Sequence, residues 1–502
     1  MVFTTISFVV FFAITFSAYY LVPKKFQWAV LLLANCVFYA WASPLCLIFL
    51  FVTIAATYCG ARLIEARKEK KLFLVLTICL LLGMLIAFKY TNFILKNIEA
   101  AAALFGSSLT LPTLNLILPI GLSFYIFQSL GYCVDVYREA VPAEKNFLKH
   151  SLYVSFFPQL LQGPIGDYTR LAPQLFSPHD FSYKQSVFGM QRCAWGFFKK
   201  LVIANQLAVV INILWTQYGQ EYSGFVFWLF ALFLYSIQLY SDFSGYMDIA
   251  IGCAQALGVQ MDENFERPFF SHGVAEYWRR WHITLGVWFK NYVFYPLLRS
   301  EALSKIRKRW RKSNPYLSNT VPTAIALMIV WILLGFWHGA DWGYVMYSVY
   351  HGCFLVLSTF LLPAYSKFHN KFPKLQNAKP FIVFQAARTY LIVIISFVFF
   401  APGDISVTAG ILQRMKSGLG ISQLMHFIAQ NFRSLGAAGL GTAVLLFVDL
   451  FHENKQNASL REIISKKKFA ARWLLYAALL CATFVLGAYD APGLNQFAYF
   501  RF

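Results

Sequence analysis

The stretch Ile325-Ala326-Leu327-Met328-Ile329-Val330-Trp331-Ile332-Leu333-Leu334-Gly335-Phe336-Trp337-His338-Gly339 is apolar until it ends on a histidine. A short break, Gly339-Ala340-Asp341-Trp342-Gly343, separates it from a second apolar stretch, Tyr344–Leu362, which holds Tyr350-His351-Gly352. Two apolar stretches joined so briefly read as a helical hairpin in a membrane, with His338 at its tip. An ionisable side chain is costly in hydrocarbon, which makes an intramembrane histidine a candidate functional group. A packed histidine donating to a backbone carbonyl is the plain alternative. Two histidines in one hairpin, each followed by glycine, favour function for the pair.

The rest of the chain has the same solvent preference. Of its 502 residues, 59% are hydrophobic and 13% charged, with mean hydropathy +0.56, whereas soluble domains are about a quarter charged. Many apolar runs reach the roughly 20 residues that cross a bilayer as helix. The other spanning architecture, a closed β-barrel, needs alternating apolar and polar residues. Runs such as Leu72–Ala87 and Phe225–Tyr240 are apolar on all faces. The expected fold is an all-α, polytopic membrane protein, one membrane domain over 1–502, with about twelve crossings.

A net charge of +21 suggests nucleic acid only while its location is ignored. Lys and Arg gather in short loops: Lys24-Lys25, Arg62–Lys71, Arg299–Lys312, Lys367–Lys379 and Lys466–Arg472. These are the marks of loops retained in the cytoplasm, where anionic lipid also lies. No soluble basic domain is present, and no nucleic-acid role is expected. The nine cysteines stand singly without a Cys-x-x-Cys spacing, so neither zinc nor a redox motif is indicated. The first apolar segment lacks a basic leader and a cleavage site and is expected to be a retained span.

Followed loop by loop, the charges place the N-terminus outside, the tip bearing His338 toward the outer leaflet, and Tyr489–Phe502 outside. His150–Arg170 is apolar but interrupted by Pro158, Gly163, Pro164 and Gly166. Such a break survives at membrane depth only when buried in protein or lining a cavity, so a re-entrant element is expected. Phe265–Arg311 mixes aromatic, basic and apolar residues and suits an interfacial stretch on the cytoplasmic side.

Two further blocks carry polar groups. Asp242 and Asp248 lie six residues apart, too far round a helix to act as a pair, and are expected to pair with Arg or Lys elsewhere. Asp242 is the one expected to border a site. In Glu276-Tyr277-Trp278-Arg279-Arg280-Trp281-His282, Glu276 is placed to bridge Arg279 or Arg280. The cations beside His282 favour a neutral imidazole, the form that accepts a proton; a packing role for His282 weighs about equally. No nucleophile elbow, Walker loop, metal-binding His-x-x-x-His or dinucleotide fingerprint occurs. Any chemistry rests on embedded histidine, which suits proton abstraction from a hydroxyl.

With these residues in view, the chain resembles the membrane-bound O-acyltransferases, and most closely the bacterial branch that O-acetylates alginate or D-alanylates teichoic acid. The resemblance rests on Phe157-Pro158-Gln159-Leu160 with Gly163-Pro164-Ile165, Asp242-Phe243-Ser244-Gly245-Tyr246 and Glu263-Asn264-Phe265-Glu266-Arg267-Pro268-Phe269. It continues through Trp278-Arg279-Arg280-Trp281-His282-Ile283-Thr284-Leu285, Trp337-His338-Gly339 and Tyr350-His351-Gly352. These blocks keep family order across a motif core of about 150–360; together they are highly specific, and singly each is weak.

The resemblance implies a helical membrane enzyme with a central funnel or tunnel. His338 maps onto the catalytic histidine and His282 onto the second family histidine on the cytoplasmic side. His351 is expected to be structural. Trp281, Asn264, Asp242 and Trp337 are the expected substrate-side residues. Two departures bear on the substrate: Trp288-Phe289-Lys290-Asn291 stands where members often carry Arg-Asp, and the basic Leu297–Lys312 replaces a Gly-Gly-Asn-Arg loop. The run Gly245–Gly252 and the chain length lean toward acetyl transfer.

The implied reaction moves an acyl group from a cytoplasmic thioester onto hydroxyls of an extracytoplasmic polysaccharide in the bacterial inner membrane. The donor would be acetyl-CoA or an acyl-carrier-protein thioester, with no bound cofactor and no metal. With no domain to hold a hydrophilic polymer, an extracytoplasmic accessory acyltransferase or esterase-like protein is expected as partner. D-alanyl transfer to teichoic acid is one alternative reading; a non-catalytic transporter of acyl groups or polymer is the other. The aromatic tail Asn495–Phe502 reads as an interface belt or as a segment bringing the Tyr499 phenol near His338 to bind or carry the acyl group.

Overall fold

The computed structural model describes residues 1–44, 46–116, 119–216, 222–455 and 459–489. These residues are overwhelmingly helical and, among them, the sole strand-like feature is an isolated antiparallel bridge between Phe265 and Trp281. Nine helices of the described residues are long and apolar enough to cross a membrane. Large apolar side chains such as Leu21, Leu33, Phe447, Leu474 and Phe484 are exposed. A water-facing surface would not carry so many, and lipid removes the cost. The helical membrane architecture expected from composition is the one observed.

The chain forms two compact units, 1–196 with 246–262 and 197–245 with 263–502. The first unit holds α1 (Ile6–Leu21), α2 (Gln27–Ala42), α3 (Cys46–Ala66), α4 (Lys70–Lys89), α5 (Thr91–Leu104) and α6 (Leu122–Tyr137). The interrupted segment follows as α7 (Phe147–Ser155), α8 (Phe157–Leu160) and α9 (Tyr168–Phe176), and α10 (Tyr183–Phe198) then leads out of the unit.

The interruption is buried, as its prolines and glycines predict, and its freed backbone groups are met by amides. Asn35 Oδ1 accepts the Phe157 N–H at 2.9 Å, and Gln128 and Gln159 both donate to the Tyr153 carbonyl at 2.9 and 3.1 Å. A backbone left unpaired in such surroundings would cost several kcal/mol per group.

In the second unit, a π-helical turn, Lys199–Ala204, leads into α11 (Asn205–Thr216), and α12 (Phe225–Ala256) begins in this unit and ends in the first. The stretch after α12 is built of short pieces: α13 (Val274–Arg280), α14 (Ile283–Phe289), α15 (Tyr295–Arg299) and the basic α16 (Glu301–Trp310). The hairpin follows as α17 (Pro315–His338) and α18 (Trp342–Lys371). Asn314 caps α17 with Pro315 at its first position, and Asp341 caps α18 by accepting the Gly343 N–H at 2.9 Å, each a strong start signal.

Glycine sets how closely the two arms lie. A Cβ on Gly335 would stand 2.8 Å from Val345 Cα, and one on Gly352 would stand 2.9 Å from Trp331 Cβ. The unit is completed by α19 (Pro373–Gln376), α20 (Lys379–Phe400), α21 (Ile405–Met415), α22 (Ile421–Gln430), α23 (Phe432–Asn454), α24 (Leu460–Ser465) and α25 (Phe469–Leu486).

Candidate active site

His338 is the last residue of α17, and its side chain is closed in by rings. Phe400 meets it edge-on at 5.3 Å between centroids, Tyr347 at 6.2 Å, and Trp337 at 5.1 Å. It is 4% exposed. The hairpin thus delivers its terminal histidine into a cage of residues from α17, α18 and α20, away from bulk water.

His282 arrives from a different kind of element. It sits between α13 and α14 with φ +48 and ψ 51. That left-handed conformation is uncommon for a side-chain-bearing residue, costs of order 1 kcal/mol or more, and clusters at functional sites. The bridge explains how it is held: Glu266 N–H donates to the Arg280 carbonyl at 2.9 Å and Ile283 N–H to the Asn264 carbonyl at 3.0 Å. Two chain segments therefore clamp His282 between them.

Its imidazole Nδ1 lies 3.3 Å from Asn264 Oδ1, with Phe243 against the ring at 4.8 Å. His282 is 2% exposed and Asn264 0%. Burial disfavours the imidazolium and holds the pKa at about 3, below the usual 6.5, so the ring is neutral at physiological pH. The neutral form was expected from the neighbouring arginines, but desolvation is the cause.

Trp337 links the two histidines. Its ring centroid is 5.7 Å from that of His282 and 5.1 Å from that of His338. Trp281 packs at 5.0 Å against Phe265 and stacks on Tyr277 at 5.6 Å. Of the residues singled out from sequence, His338, His282, Trp337, Trp281 and Asn264 come together in this unit. Asp242 neighbours Phe243 on α12, but its carboxylate is ion-paired with Lys200, as a buried acid requires. Asp248 likewise pairs with Arg192, at 2.8 Å. Tyr499 lies outside the described residues.

His351 has a structural environment. Its Nε2 is 2.9 Å from Ser396 Oγ, whose hydroxyl donates to the Val393 carbonyl at 2.6 Å, so the imidazole N–H donates to serine. The ring packs against Tyr347 at 4.9 Å and Trp278 at 5.1 Å.

Two contributors escaped the sequence reading. Glu453, at the end of α23, accepts from Arg267 Nε at 2.7 Å and from both terminal nitrogens of Arg280 at 3.0–3.1 Å. It ties together the two segments that clamp His282, while Glu276 meets Arg280 at 2.6 Å in the expected i,i+4 bridge. Lys199 and Lys200 form the other contribution: Lys200 meets Asp242, and Lys199 Nζ donates to Ser244 Oγ at 2.8 Å. The sequence signal for the lysines was two adjacent cations inside an apolar run. For Glu453 it was weaker, one carboxylate closing a span.

The arrangement offers two buried histidines flanking an indole, with both imidazoles shut off from bulk water. The family model described as MBOAT, membrane-bound O-acyltransferase family, matches residues 136–401. A protein of Pseudomonas syringae pv. tomato named probable alginate O-acetylase AlgI is 32% identical over 459 residues, covering 89% of this chain and 82% of its own. The peptidoglycan O-acetyltransferase of Helicobacter pylori is 30% identical across 78% of this chain and 74% of its own. The teichoic acid D-alanyltransferase of Bacillus subtilis is 25% identical across 58% of this chain and 70% of its own. With the family match spanning both histidine blocks and relatives aligned along most of their length, the chain belongs to the membrane-bound O-acyltransferase family and is a membrane-embedded O-acyltransferase.

Proposed function

We propose that this enzyme transfers an acetyl group from a cytoplasmic thioester, acetyl-CoA or an acyl-carrier-protein thioester, to hydroxyls of an extracytoplasmic polysaccharide of the alginate kind. The observation that carries this reading is the pair of buried histidines either side of Trp337. His338 takes the proton of the accepting hydroxyl, and that oxygen attacks the thioester carbonyl. The C–S bond breaks, the thiolate leaves toward the donor side, and the proton held on the imidazole neutralises it. His282 serves the donor side, with Trp281 and Trp337 walling the acyl group.

Relatives named as alginate O-acetylases, at 31–34% identity, support acetyl as the group and alginate as the acceptor class. The proposed setting is the bacterial inner membrane, both termini outside, with an extracytoplasmic acyltransferase or esterase-like protein as the partner that presents the polymer. His338→Ala should abolish ester-linked acetate on the cell surface at unchanged protein level. Normal ester content in that variant removes His338 from the mechanism. Mass analysis of the released acyl group separates acetate from D-alanine. Tyr499→Phe keeps the ring and deletes the hydroxyl; unchanged surface acylation would leave the tail as an anchor, without a covalent role.

A further inference from the structure

The proposed function sets His282 on the donor side, and the residues around its ring decide which imidazole nitrogen carries the lone pair there. Asn264 Oδ1 accepts the backbone N–H of Thr284 at 3.0 Å. A backbone N–H only donates, so the atom facing it is the amide oxygen and the orientation of the amide is settled. The same oxygen accepts the Thr284 hydroxyl at 3.0 Å and lies 3.3 Å from His282 Nδ1. An amide oxygen only accepts, so the proton between it and the imidazole sits on Nδ1. A neutral imidazole carries a single N–H, and the lone pair therefore belongs to Nε2.

We infer that Asn264 is a positioning residue, holding His282 as its Nδ1–H tautomer so that Nε2 carries the lone pair on the donor side, instead of being a ligand of the acyl donor. This rests on the functional reading above and deepens it. The backbone of Asn264 strengthens the hold, because its carbonyl accepts the N–H of Ile283 at 3.0 Å. One residue thus fixes three in succession: the ring of His282, the main chain of Ile283, and both the main chain and hydroxyl of Thr284. The left-handed backbone at His282 (φ +48) swings its ring back toward Asn264. Both side chains are shut off from solvent, so bulk water does not compete for the Nδ1 proton.

The test is nitrogen NMR on full-length protein labelled with 15N-histidine in lipid nanodiscs, the His282 signal being assigned by its loss in His282→Gln. The wild type should show a protonated Nδ1 and an unprotonated Nε2. Asn264→Leu keeps the side chain's size without an acceptor; both tautomers should appear, and kcat for acyl transfer should fall about 10- to 100-fold with the donor KM little changed. Asn264→Asp retains an accepting oxygen and should keep the wild-type tautomer and recover part of the lost kcat. A proton on Nε2 in the wild type overturns the inference, and needs no variant to fold. So does Asn264→Leu with an unaltered tautomer, or with a raised donor KM and unaltered kcat, which would make Asn264 a substrate contact. The tautomer is read without turnover, so failure of the acyl-transfer reading shows up separately.

Discussion

Lys200 is ion-paired with Asp242 although each side chain is only 3% exposed. Removing one member of such a pair strands a charge, whereas removing both strands none. Asp242→Asn alone should therefore cost about 3–5 kcal/mol of stability, and the double change Lys200→Met with Asp242→Leu far less. Thermal unfolding in one detergent compares the three proteins. A double variant as unstable as the sum of its singles would exclude this account.

Glu453 is shared by Arg267 and Arg280, one on each segment of the clamp around His282. Glu453→Gln keeps the shape and deletes the charge, weakening hydrogen bonds worth about 1.5–3 kcal/mol when charged, less here because the group is partly exposed. Acyl transfer should fall further than the melting temperature implies, since the histidine loses its setting before the helices separate. Arg280→Lys should show the same pattern, because an ammonium cannot reproduce the two-pronged contact. Transfer rates measured well below the unfolding temperature check both.

Acid should destabilise the protein through His282. Burial lowers its pKa to about 3, while the unfolded chain takes up this proton near pH 6.5. Between those values the unfolded state binds more protons, so stability rises with pH and is lost on acidification, by up to about 1.4 kcal/mol per pH unit for one group. His282→Gln should flatten the dependence of melting temperature on pH in that window. Equal slopes for the two proteins would show that the ring does not carry the effect.

Ser396 offers a contrast between fold and chemistry. It accepts from the buried His351 Nε2–H, so Ser396→Ala orphans that donor at a cost of about 1–3 kcal/mol. The surviving protein should keep its specific activity. His338→Ala should do the reverse, leaving the melting temperature close to wild type while activity disappears.

Much of this was legible because membrane folding and buried charge obey one-dimensional rules. Apolar runs gave the helices, and the Pro158–Gly166 interruption announced a segment whose backbone needed other partners, which Asn35, Gln128 and Gln159 supply. Asp242 and Asp248 demanded cations, and the structure provides Lys200 and Arg192. The i,i+4 spacing of Glu276 and Arg280 was local and readable.

Pairing across distance was not. Nothing near Glu453 in sequence indicates that its partners are Arg267 and Arg280. The left-handed turn at His282 was equally hidden, because it arises from a bridge between separated segments and not from a glycine. The cause of the neutral His282 was misjudged for the same reason: neighbouring charges are visible in sequence, whereas desolvation depends on what the fold packs around the ring.

The contact of Glu453 with Arg280 spans 173 positions of chain, and that with Arg267 spans 186. During synthesis both arginines, His282 and the whole His338 hairpin leave the ribosome before this carboxylate exists. The two guanidinium groups must wait, solvated or held by Glu276, until α23 is inserted. A nascent chain halted before Glu453 carries both histidines yet lacks the clasp around one of them, so His282 reaches its final setting only late in the protein's own manufacture.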